Sequence, residues 1–315
     1  MNTKDYVIFN KLLKISINNK RYDNKQNRGA TMNINSSTNL ICLLGQPVKQ
    51  SFSPSIHNYL SQKYNKNNVY MCFDIEKNNL EKAVEGIRAY KIKGCNVTIP
   101  YKVEIIKYLD KVDKNALLIG AVNTIKNENN KLIGYNTDGI GFVKSLLDEG
   151  YDLKNKKIMI LGAGGACRSI AVEISSNNAL SIEIRNRSIE GAKEICDIIN
   201  ENFSTKCTYS IKSVDEEDLK HIDILINTTP IGMGNDECPI NEDITPHRDL
   251  LVCDIVYKPH ETKLLKWAKD NNLKIIYGIG MLINQGILSY SIWENIKLNE
   301  EDFIEIKDIY FNSIK

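Results

Sequence analysis

The sequence lacks the cysteine and histidine spacings that bind zinc or build a disulfide framework. Its eight cysteines are scattered along 315 residues and contain no C-x-x-C pair. The four histidines, His57, His221, His247 and His260, form no His-x-x-x-His pair and do not cluster with the cysteines. We therefore expect no metal site and no disulfide-stapled fold, and interpret most cysteines as small buried apolar residues.

The sequence also lacks long apolar runs and any large excess of one charge. No run approaches the roughly 18 apolar residues that a membrane span requires, and the N-terminus has no apolar core of a signal peptide. The net charge is +2, with Lys and Arg interleaved with Asp and Glu. We therefore expect a cytoplasmic protein that binds neither a membrane nor a nucleic acid.

Length and composition are those of an ordinary globular chain with room for two domains. Residues 1–38 are rich in Asn, Lys, Ser and Thr without a sustained hydrophobic pattern, which predicts a disordered extension. Met32 lies just before the first predicted strand, so a start at that residue is an alternative. We expect a chain beginning at Met32 to keep its activity.

From residue 39 onward, short apolar runs alternate with helical segments. The first half predicts strands over 39–45, 69–74 and 94–98, and helices over 55–64, 80–90 and from Pro100. The second half predicts strands over 157–161, 181–185, 208–211, 222–227, 251–255 and 274–277, and helices over 166–176, 189–200 and from Met281. Such alternation is typical of an α/β fold with parallel sheets.

A glycine-rich turn, Gly162-Ala163-Gly164-Gly165-Ala166, joins the strand over 157–161 to the next helix. Its first glycine permits a tight turn, its second lets the backbone approach a pyrophosphate, and the helix N-terminus offers free N–H groups. Cys167 replaces the third glycine of the dinucleotide fingerprint G-x-G-x-x-G, so a turn without a ligand is the alternative.

The end of the next strand distinguishes between the two nicotinamide cofactors. NAD sites usually have an Asp or Glu there, which binds the ribose 2′-hydroxyl. This chain has Arg185-Asn186-Arg187-Ser188, with no carboxylate before Glu190. Because a guanidinium suits a 2′-phosphate, Arg187 favours NADP, the alternative being a solvated loop residue.

Polar residues follow the predicted strands of the first half. Two hydroxyls, Ser51 and Ser53, can bind one carboxylate from an extended loop, although Ser53 is also a good helix cap. Asn96 and Thr98 point to one face of their strand. Lys102 follows them, and taken alone it is more typical of an exposed first-turn lysine than of a catalytic one.

Nine segments together resemble the shikimate dehydrogenase family, in order and with compatible spacing over residues 40–290. Those in the first half are 45–47 with 51–54 and 57–58, then 96–102, 120–124 and 136–139. Those in the second half are 162–166, 186–188, 227–233, 254–259 and 278–282 with Gln285. The resemblance implies reversible reduction of 3-dehydroshikimate to shikimate with NADPH, a step of chorismate and aromatic amino acid biosynthesis.

The resemblance also implies residue roles. Ser51 and Ser53 would bind the substrate carboxylate, and Lys102 with Asp138 would be the catalytic pair. The residues that would contact the ring hydroxyls, or shape the pocket around them, are Asn96, Thr98, Asn123, Asp138, Tyr257 and Gln285. The cofactor would contact Gly162, Ala163, Gly164, Gly165, Ala166, Asn186, Arg187, Ser188, Ile255 and Gly278.

The residue types fit this chemistry. Reduction of a ketone needs a hydride and a proton for the oxygen. A lysine ammonium can donate that proton, and a carboxylate beside it stabilises its charge and fixes its position. In the reverse direction, the neutral lysine accepts a proton from the hydroxyl.

The implied architecture is an N-terminal α/β substrate domain and a Rossmann-like, doubly wound NADP-binding domain, with the active site in the cleft between them. Because the last helices would return to the first domain, the predicted bounds are 39–138 plus 278–315 for substrate and 139–277 for cofactor. The expected partner is a small-molecule substrate, and the expected assembly is a monomer or a homodimer.

The chain departs from the family's pattern at three positions. Gln50 replaces a common histidine, Ser188 a common threonine, and Gly191 a frequent second basic residue. The missing cation predicts some tolerance of NAD. Two alternatives stay open: a quinate/shikimate dehydrogenase using NAD, which Arg187 disfavours, and a non-catalytic NADP-binding sensor, which Lys102 disfavours together with Asp138.

Overall fold

Two six-stranded sheets form the framework of the chain, seen here in a computed structural model that describes residues 34–314. Residues from Ser37 onward cluster into one compact unit that contains both sheets. The predicted disordered extension over 1–38 lies, apart from its last five residues, outside the described part of the chain.

The first sheet has the strand order β2-β1-β3-β5-β6-β4. Its strands are β1 (Asn39–Gly45), β2 (Asn68–Asp74), β3 (Gly94–Val97), β4 (Lys111–Val112), β5 (Thr124–Glu128) and β6 (Lys131–Tyr135). The helices of this half are α1 (Ser53–Lys63), α2 (Leu80–Ala89), α3 (Lys114–Ile119) and α4 (Asp138–Asp148). In α2, burial of Leu80, Val84 and Ile87 follows the helical spacing that directs one face to the core.

The three strands predicted for this half are parallel, as expected, but its sheet also contains an antiparallel hairpin that was not predicted. Strands β1, β2 and β3 are parallel, but β5 runs antiparallel to both β3 and β6. The β5–β6 hairpin turns at Asn129 and Asn130, whose φ angles are 54° and 66°. Positive φ at both central residues is typical of a type I′ turn, which matches the twist of paired strands and which asparagine tolerates.

The helix predicted from Pro100 is also wrong, since only a 3₁₀ segment, Glu104–Tyr108, forms there. The Tyr101 N–H donates to the Thr98 carbonyl at 3.0 Å, closing a tight turn. The Lys102 carbonyl accepts from the distant Val122 N–H at 2.7 Å rather than from the next helical turn. This backbone is therefore tied to the loop before β5, which keeps it from continuing as an α-helix.

The second sheet is parallel throughout and has the order β12-β11-β10-β7-β8-β9. Its strands are β7 (Lys157–Leu161), β8 (Ser181–Arg185), β9 (Lys206–Ser210), β10 (Ile224–Asn227), β11 (Leu251–Asp254) and β12 (Lys274–Ile276). The helices are α5 (Gly165–Ser176), α6 (Ile189–Asn202), α7 (Glu216–Leu219) and α8 (Lys263–Asp270). The order confirms a Rossmann-like, doubly wound sheet, in which ligands bind where it reverses, between β7 and β10.

The last two helices, α9 (Gly278–Glu294) and α10 (Glu300–Ser313), return to the first half of the chain. The Trp293 indole N–H donates to the Ile125 carbonyl of β5 at 2.8 Å. Helix α9 also packs tightly on α4, because a Cβ built at Gly141 would lie 2.7 Å from the Gln285 backbone nitrogen. The discontinuous domain bounds stay a prediction. Among the described helices, none has the length and apolar character to cross a membrane.

Candidate active site

An ion pair between Lys102 and Asp138 lies at the carboxyl end of the first sheet. Lys102 follows β3 in the loop described above, and Asp138 is the first residue of α4. The Lys102 Nζ lies 2.5 Å from the Asp138 Oδ2, and the two side chains are 15% and 5% exposed. The Asp138 N–H donates to the Asn136 Oδ1 at 3.0 Å, which fixes the start of the helix. The pair predicted from the sequence is thus brought together and largely withdrawn from water.

Asn123 holds the other oxygen of the Asp138 carboxylate. Its Nδ2 donates to the Asp138 Oδ1 at 2.8 Å, and its Oδ1 accepts from the Thr137 N–H at 2.9 Å. The Gln285 Oε1 of α9 lies 3.4 Å from the same Nδ2. Because the amide oxygen faces an N–H and the amide nitrogen faces a carboxylate, only this orientation of Asn123 satisfies both partners.

Asn96 and Thr98 come from β3 and the residue after it. The Asn96 Oδ1 accepts from the Tyr70 hydroxyl at 2.8 Å, while its Nδ2 donates to the Asn123 carbonyl at 3.1 Å. Asn96 is 5% exposed, so its amide is engaged inside the protein. Thr98 is only partly buried, and its N–H donates to the Leu44 carbonyl at 2.9 Å.

The two loop serines and Tyr257 meet at the start of α1. The Ser51 hydroxyl lies 3.1 Å from that of Ser53 and accepts from the Ser53 N–H at 3.2 Å. Ser53 lies inside the helix, whose cap position is Phe52, so it does not act as the helix cap. Burial raises the pKa of Tyr257, and hydrogen bonds with the Phe52 backbone and the Ser51 side chain oppose that rise. Three hydroxyls from both halves of the chain thus converge.

The glycine turn connects β7 to α5 at the point where the second sheet reverses. Gly162 has φ +98°, a backbone conformation that favours glycine. Its N–H donates to the Arg185 carbonyl at 2.8 Å, and a Cβ there would lie 2.9 Å from the Thr228 Oγ1 of the neighbouring strand end. A Cβ at Gly164 would meet only open space, so a ligand has room to approach this backbone.

Two further glycines lie where residues predicted to bind the cofactor approach other parts of the predicted site. A Cβ built at Gly165, the first residue of α5, would lie 3.2 Å from the Lys102 Cβ. A Cβ at Gly278 would lie 2.4 Å from the Ile255 carbonyl oxygen, where no side chain fits. The glycine turn therefore reaches the catalytic candidate of the first half, and the loop after β11 packs directly on the start of α9.

Arg187 is exposed beside this turn, and no ion-pair or hydrogen-bond partner for it occurs within residues 34–314. The neighbouring Arg185 differs, because it is 8% exposed and pairs with Glu183 at 2.8 Å and Asp218 at 2.5 Å. A buried arginine with two carboxylate partners has a structural role. Arg187 is thus the strand-end arginine whose guanidinium remains available to an anion.

The loop that carries Arg187 is ordered by its own side chains. The Asn186 Nδ2 donates to the Ser188 carbonyl at 2.9 Å and lies 3.3 Å from its hydroxyl. A Cβ at Gly191 would lie 3.2 Å from the Ala163 carbonyl oxygen. The loop therefore packs against the glycine turn, and Ala166 continues from that turn into α5.

Sequence reasoning missed four buried polar residues that complete the site: Tyr70, Thr124, Thr137 and Ser289. Thr137 donates to the Gln285 carbonyl at 3.1 Å and contacts the Asn123 side chain. Thr124 and Thr137 lie in two of the segments that carry the family resemblance, which assigned them no role, whereas Ser289, one helical turn after Gln285, offered a signal in its spacing. In the described part of the chain, no group of three or more His, Cys, Asp or Glu residues is arranged to hold a metal ion.

Comparisons with known proteins agree with this geometry. One family model, described as the shikimate dehydrogenase substrate binding domain, matches residues 43–125, and another, described as shikimate / quinate 5-dehydrogenase, matches residues 143–235. The chain is 47% identical to a shikimate dehydrogenase (NADP(+)) of Methanocaldococcus jannaschii over 274 residues, which is 85% of this chain and 95% of that protein.

Solved structures show the same likeness. A shikimate 5-dehydrogenase from Listeria monocytogenes, crystallised with shikimate and NAD, has a TM-score of 0.78 at 33% identity, covering 89% of this chain and 99% of that one. A shikimate dehydrogenase crystallised with NADP+ also has a TM-score of 0.78, at 43% identity, covering 87% of this chain and 96% of that one.

Proposed function

This chain belongs to the shikimate dehydrogenase family, and we propose that it catalyses the reversible, NADP-dependent reduction of 3-dehydroshikimate to shikimate. The observation that carries the proposal is the Lys102–Asp138 pair, which lies directly against Gly165 at the start of α5. A proton donor for a carbonyl oxygen thus adjoins the backbone turn that would hold a dinucleotide.

Lys102 is the group that we assign to proton transfer. In the direction of reduction, its ammonium donates a proton to the carbonyl oxygen as that oxygen gains negative charge. In the direction of oxidation, the neutral amine takes the proton from the hydroxyl. The Asp138 carboxylate, 2.5 Å away, holds Nζ in place, and Asn123 in turn holds the carboxylate through the bond to Oδ1.

The substrate carboxylate is assigned to the three hydroxyls of Ser51, Ser53 and Tyr257. Hydroxyl donors suit a carboxylate, and hydrogen bonds to a charged acceptor are stronger than those between neutral groups. Gln285 adjoins Asn123 on the wall that would face the ring hydroxyls, together with Thr98. Asn96 is assigned to shaping this wall, because its amide groups are already paired inside the protein.

The residues around the glycine turn fit NADP, which supplies or accepts the hydride when bound. Open space at Gly164 and the free N–H groups at the start of α5 suit a pyrophosphate. The unpaired Arg187 guanidinium suits a 2′-phosphate, with Asn186 and Ser188 shaping its loop. Ile255 and Gly278 would close the nicotinamide end. Cytoplasmic location and a monomer or homodimer stay predictions.

The test is an assay of the purified protein with shikimate and quinate, each with NADP+ and NAD+, following the absorbance of the reduced nicotinamide. We expect the highest kcat/KM for shikimate with NADP+, and measurable but lower turnover with NAD+. Faster turnover of quinate with NAD+ would favour the quinate/shikimate alternative. Binding of NADPH without shikimate-dependent turnover would favour the sensor.

A further inference from the structure

Ser289 lies at the centre of a buried polar cluster behind the proposed substrate site. It is fully buried on α9, one helical turn after Gln285, so both side chains lie on the same face of the helix. The Ser289 hydroxyl donates to the Gln285 carbonyl at 2.9 Å. Its oxygen also lies 3.1 Å from the Asn96 Nδ2, 2.7 Å from the Thr124 Oγ1 and 3.2 Å from the Thr137 Oγ1.

These four contacts use all of the hydrogen-bonding capacity of the Ser289 hydroxyl. A serine hydroxyl has one donor and two acceptor lone pairs. With its donor directed to the Gln285 carbonyl, its lone pairs face the Asn96 amide and the Thr124 hydroxyl, while the Thr137 hydroxyl, which donates to the same carbonyl, lies beside it. No hydrogen-bonding capacity of Ser289 remains for a ligand, and the residue is too deeply buried to touch one. Its effect on the reaction therefore has to pass through its partners.

The partners of Ser289 lead to the catalytic pair along short hydrogen bonds. The Thr124 Oγ1 lies 2.9 Å from the Asn123 Oδ1, and the Thr137 Oγ1 accepts from the Asn123 Nδ2 at 2.8 Å. Asn123 donates to the Asp138 Oδ1, the carboxylate oxygen that does not pair with Lys102. Strands β3 and β5, which carry Asn96 and Thr124, and the residue before α4, Thr137, are therefore tied to α9 through one oxygen atom.

We propose that Ser289 is a positioning residue of the reaction, which fixes the amide orientations of Asn96 and Asn123 from behind the site. This inference rests on the proposed function, because it concerns the wall that binds shikimate and the carboxylate that holds Lys102. A flipped Asn123 amide would place its oxygen against the Asp138 carboxylate, where two acceptors repel. The hydroxyl of Ser289 stabilises the threonines that prevent this flip.

A small loss of alignment in this network has a measurable cost. Misplacement of reacting groups by ~1 Å can reduce a rate about 100-fold, so partial loss of orientation should reduce kcat/KM for shikimate about tenfold. The proposed cofactor contacts lie around the second sheet and at Gly278, the first residue of α9, and do not include Ser289. We therefore expect the KM for shikimate to rise about fivefold or more in Ser289→Ala, while the KM for NADP+ stays within about twofold of the wild type.

The chain offers a matched control in Ser291 of the same helix. Its hydroxyl makes the same kind of bond, to the Ile287 carbonyl at 2.9 Å, but lies two residues along on a partly exposed face. Ser291→Ala should leave both KM values and kcat unchanged. A second variant, Ser289→Cys, fills nearly the same volume with a much weaker hydrogen-bonding group, and we expect it to lose as much as Ser289→Ala.

The outcomes separate a positioning role from a structural one. If Ser289→Ala lowers the melting temperature and the active fraction but leaves the KM for shikimate unchanged, the positioning role is refuted. Wild-type kinetics in Ser289→Cys would also refute it, because packing volume rather than the hydroxyl would then suffice. A wild-type protein inactive on shikimate refutes the proposed function instead, so the wild-type assay is done first.

Discussion

His57 should make the folded protein sensitive to acid, although it takes no part in the proposed reaction. The imidazole is fully buried on α1 and stacks on Tyr70 with ring centroids 4.4 Å apart, while Trp293 lies 5.0 Å away. Within residues 34–314, neither ring nitrogen has a hydrogen-bond partner. Burial lowers the pKa of His57 from 6.5 to about 3, because the imidazolium would lose its hydration without gaining a counter-charge, and the neighbouring Asn96 side chain, outside hydrogen-bond geometry, opposes this shift only in part.

The sign of the effect follows from proton binding in the two states. Between pH 6.5 and about 3 the unfolded chain binds a proton at His57 and the native protein does not. The unfolded state is therefore favoured as the pH falls, and the free energy of unfolding decreases by about 1.4 kcal/mol per pH unit in this window. At a pH of about 4.5, two units below the ordinary value, His57 should account for about 2 to 3 kcal/mol of lost stability.

Urea unfolding of the wild type and of His57→Phe, each at pH of about 7 and about 4.5, isolates this contribution. Phenylalanine keeps the stacked ring but cannot be protonated, so the variant should lose about 2 to 3 kcal/mol less on acidification. Asp254, whose pKa burial raises to about 6, contributes with the opposite sign but is common to both proteins and cancels. The variant His221→Phe, at a largely exposed site, serves as control. Equal losses in wild type and His57→Phe would refute the argument.

Three further substitutions test the proposed site. Lys102→Ala should lower kcat by about 10²- to 10⁴-fold with the KM for shikimate within a few-fold, whereas exposed Lys107→Ala should not; an unchanged kcat would remove Lys102 from proton transfer. Arg187→Ala should raise the KM for NADPH much more than the KM for NADH, because only NADPH carries the 2′-phosphate. Lys193→Ala controls for the loss of one positive charge. Equal increases in the two KM values would mean that Arg187 does not bind the 2′-phosphate. Gly278→Ala should lower the melting temperature, because its Cβ would lie within 2.4 Å of backbone; an unchanged melting temperature would show that this backbone moves freely.

Much of the fold could be predicted because its strands are apolar runs between strong turn signals. In β7, Ile158, Met159 and Ile160 are all fully buried, as expected for a central strand of a parallel sheet covered on both faces. The β5–β6 hairpin was missed because its strands, Thr-Ile-Lys-Asn-Glu and Lys-Leu-Ile-Gly-Tyr, have neither a sustained apolar run nor a strict alternation, and because its turn is Asn129-Asn130 rather than a more familiar pair with glycine. The helix predicted from Pro100 failed because a contact with Val122, twenty residues away, decides the local backbone.

The candidate site was predictable where residue type limits the chemistry. A lysine, a carboxylate and a glycine turn together suggest few reactions, and the sequence singles out all three, the lysine and the turn each after a predicted strand. The supporting cluster was not predictable in the same way. Ser289 meets Asn96 across 193 residues of sequence and Thr124 across 165, inside a helix whose other residues are mostly apolar. A buried serine in such a helix is usually interpreted as a tolerated core residue.

The residues proposed to bind the substrate and those proposed to bind the cofactor lie mainly on different sheets. The two groups approach each other at glycines, which have no side chain. The polar wall around Asn123 comes from the first sheet and α9, while the turn at Gly164 comes from the second sheet. Lys102 belongs to the first group but lies against Gly165 of the second, so any side chain at Gly165 would press on the proton donor. Because Ser289 and its partners lie on the first-sheet side of this junction and Arg187 on the second-sheet side, changes behind the substrate wall should alter shikimate binding and leave cofactor selection at Arg187 intact, and the converse should also hold.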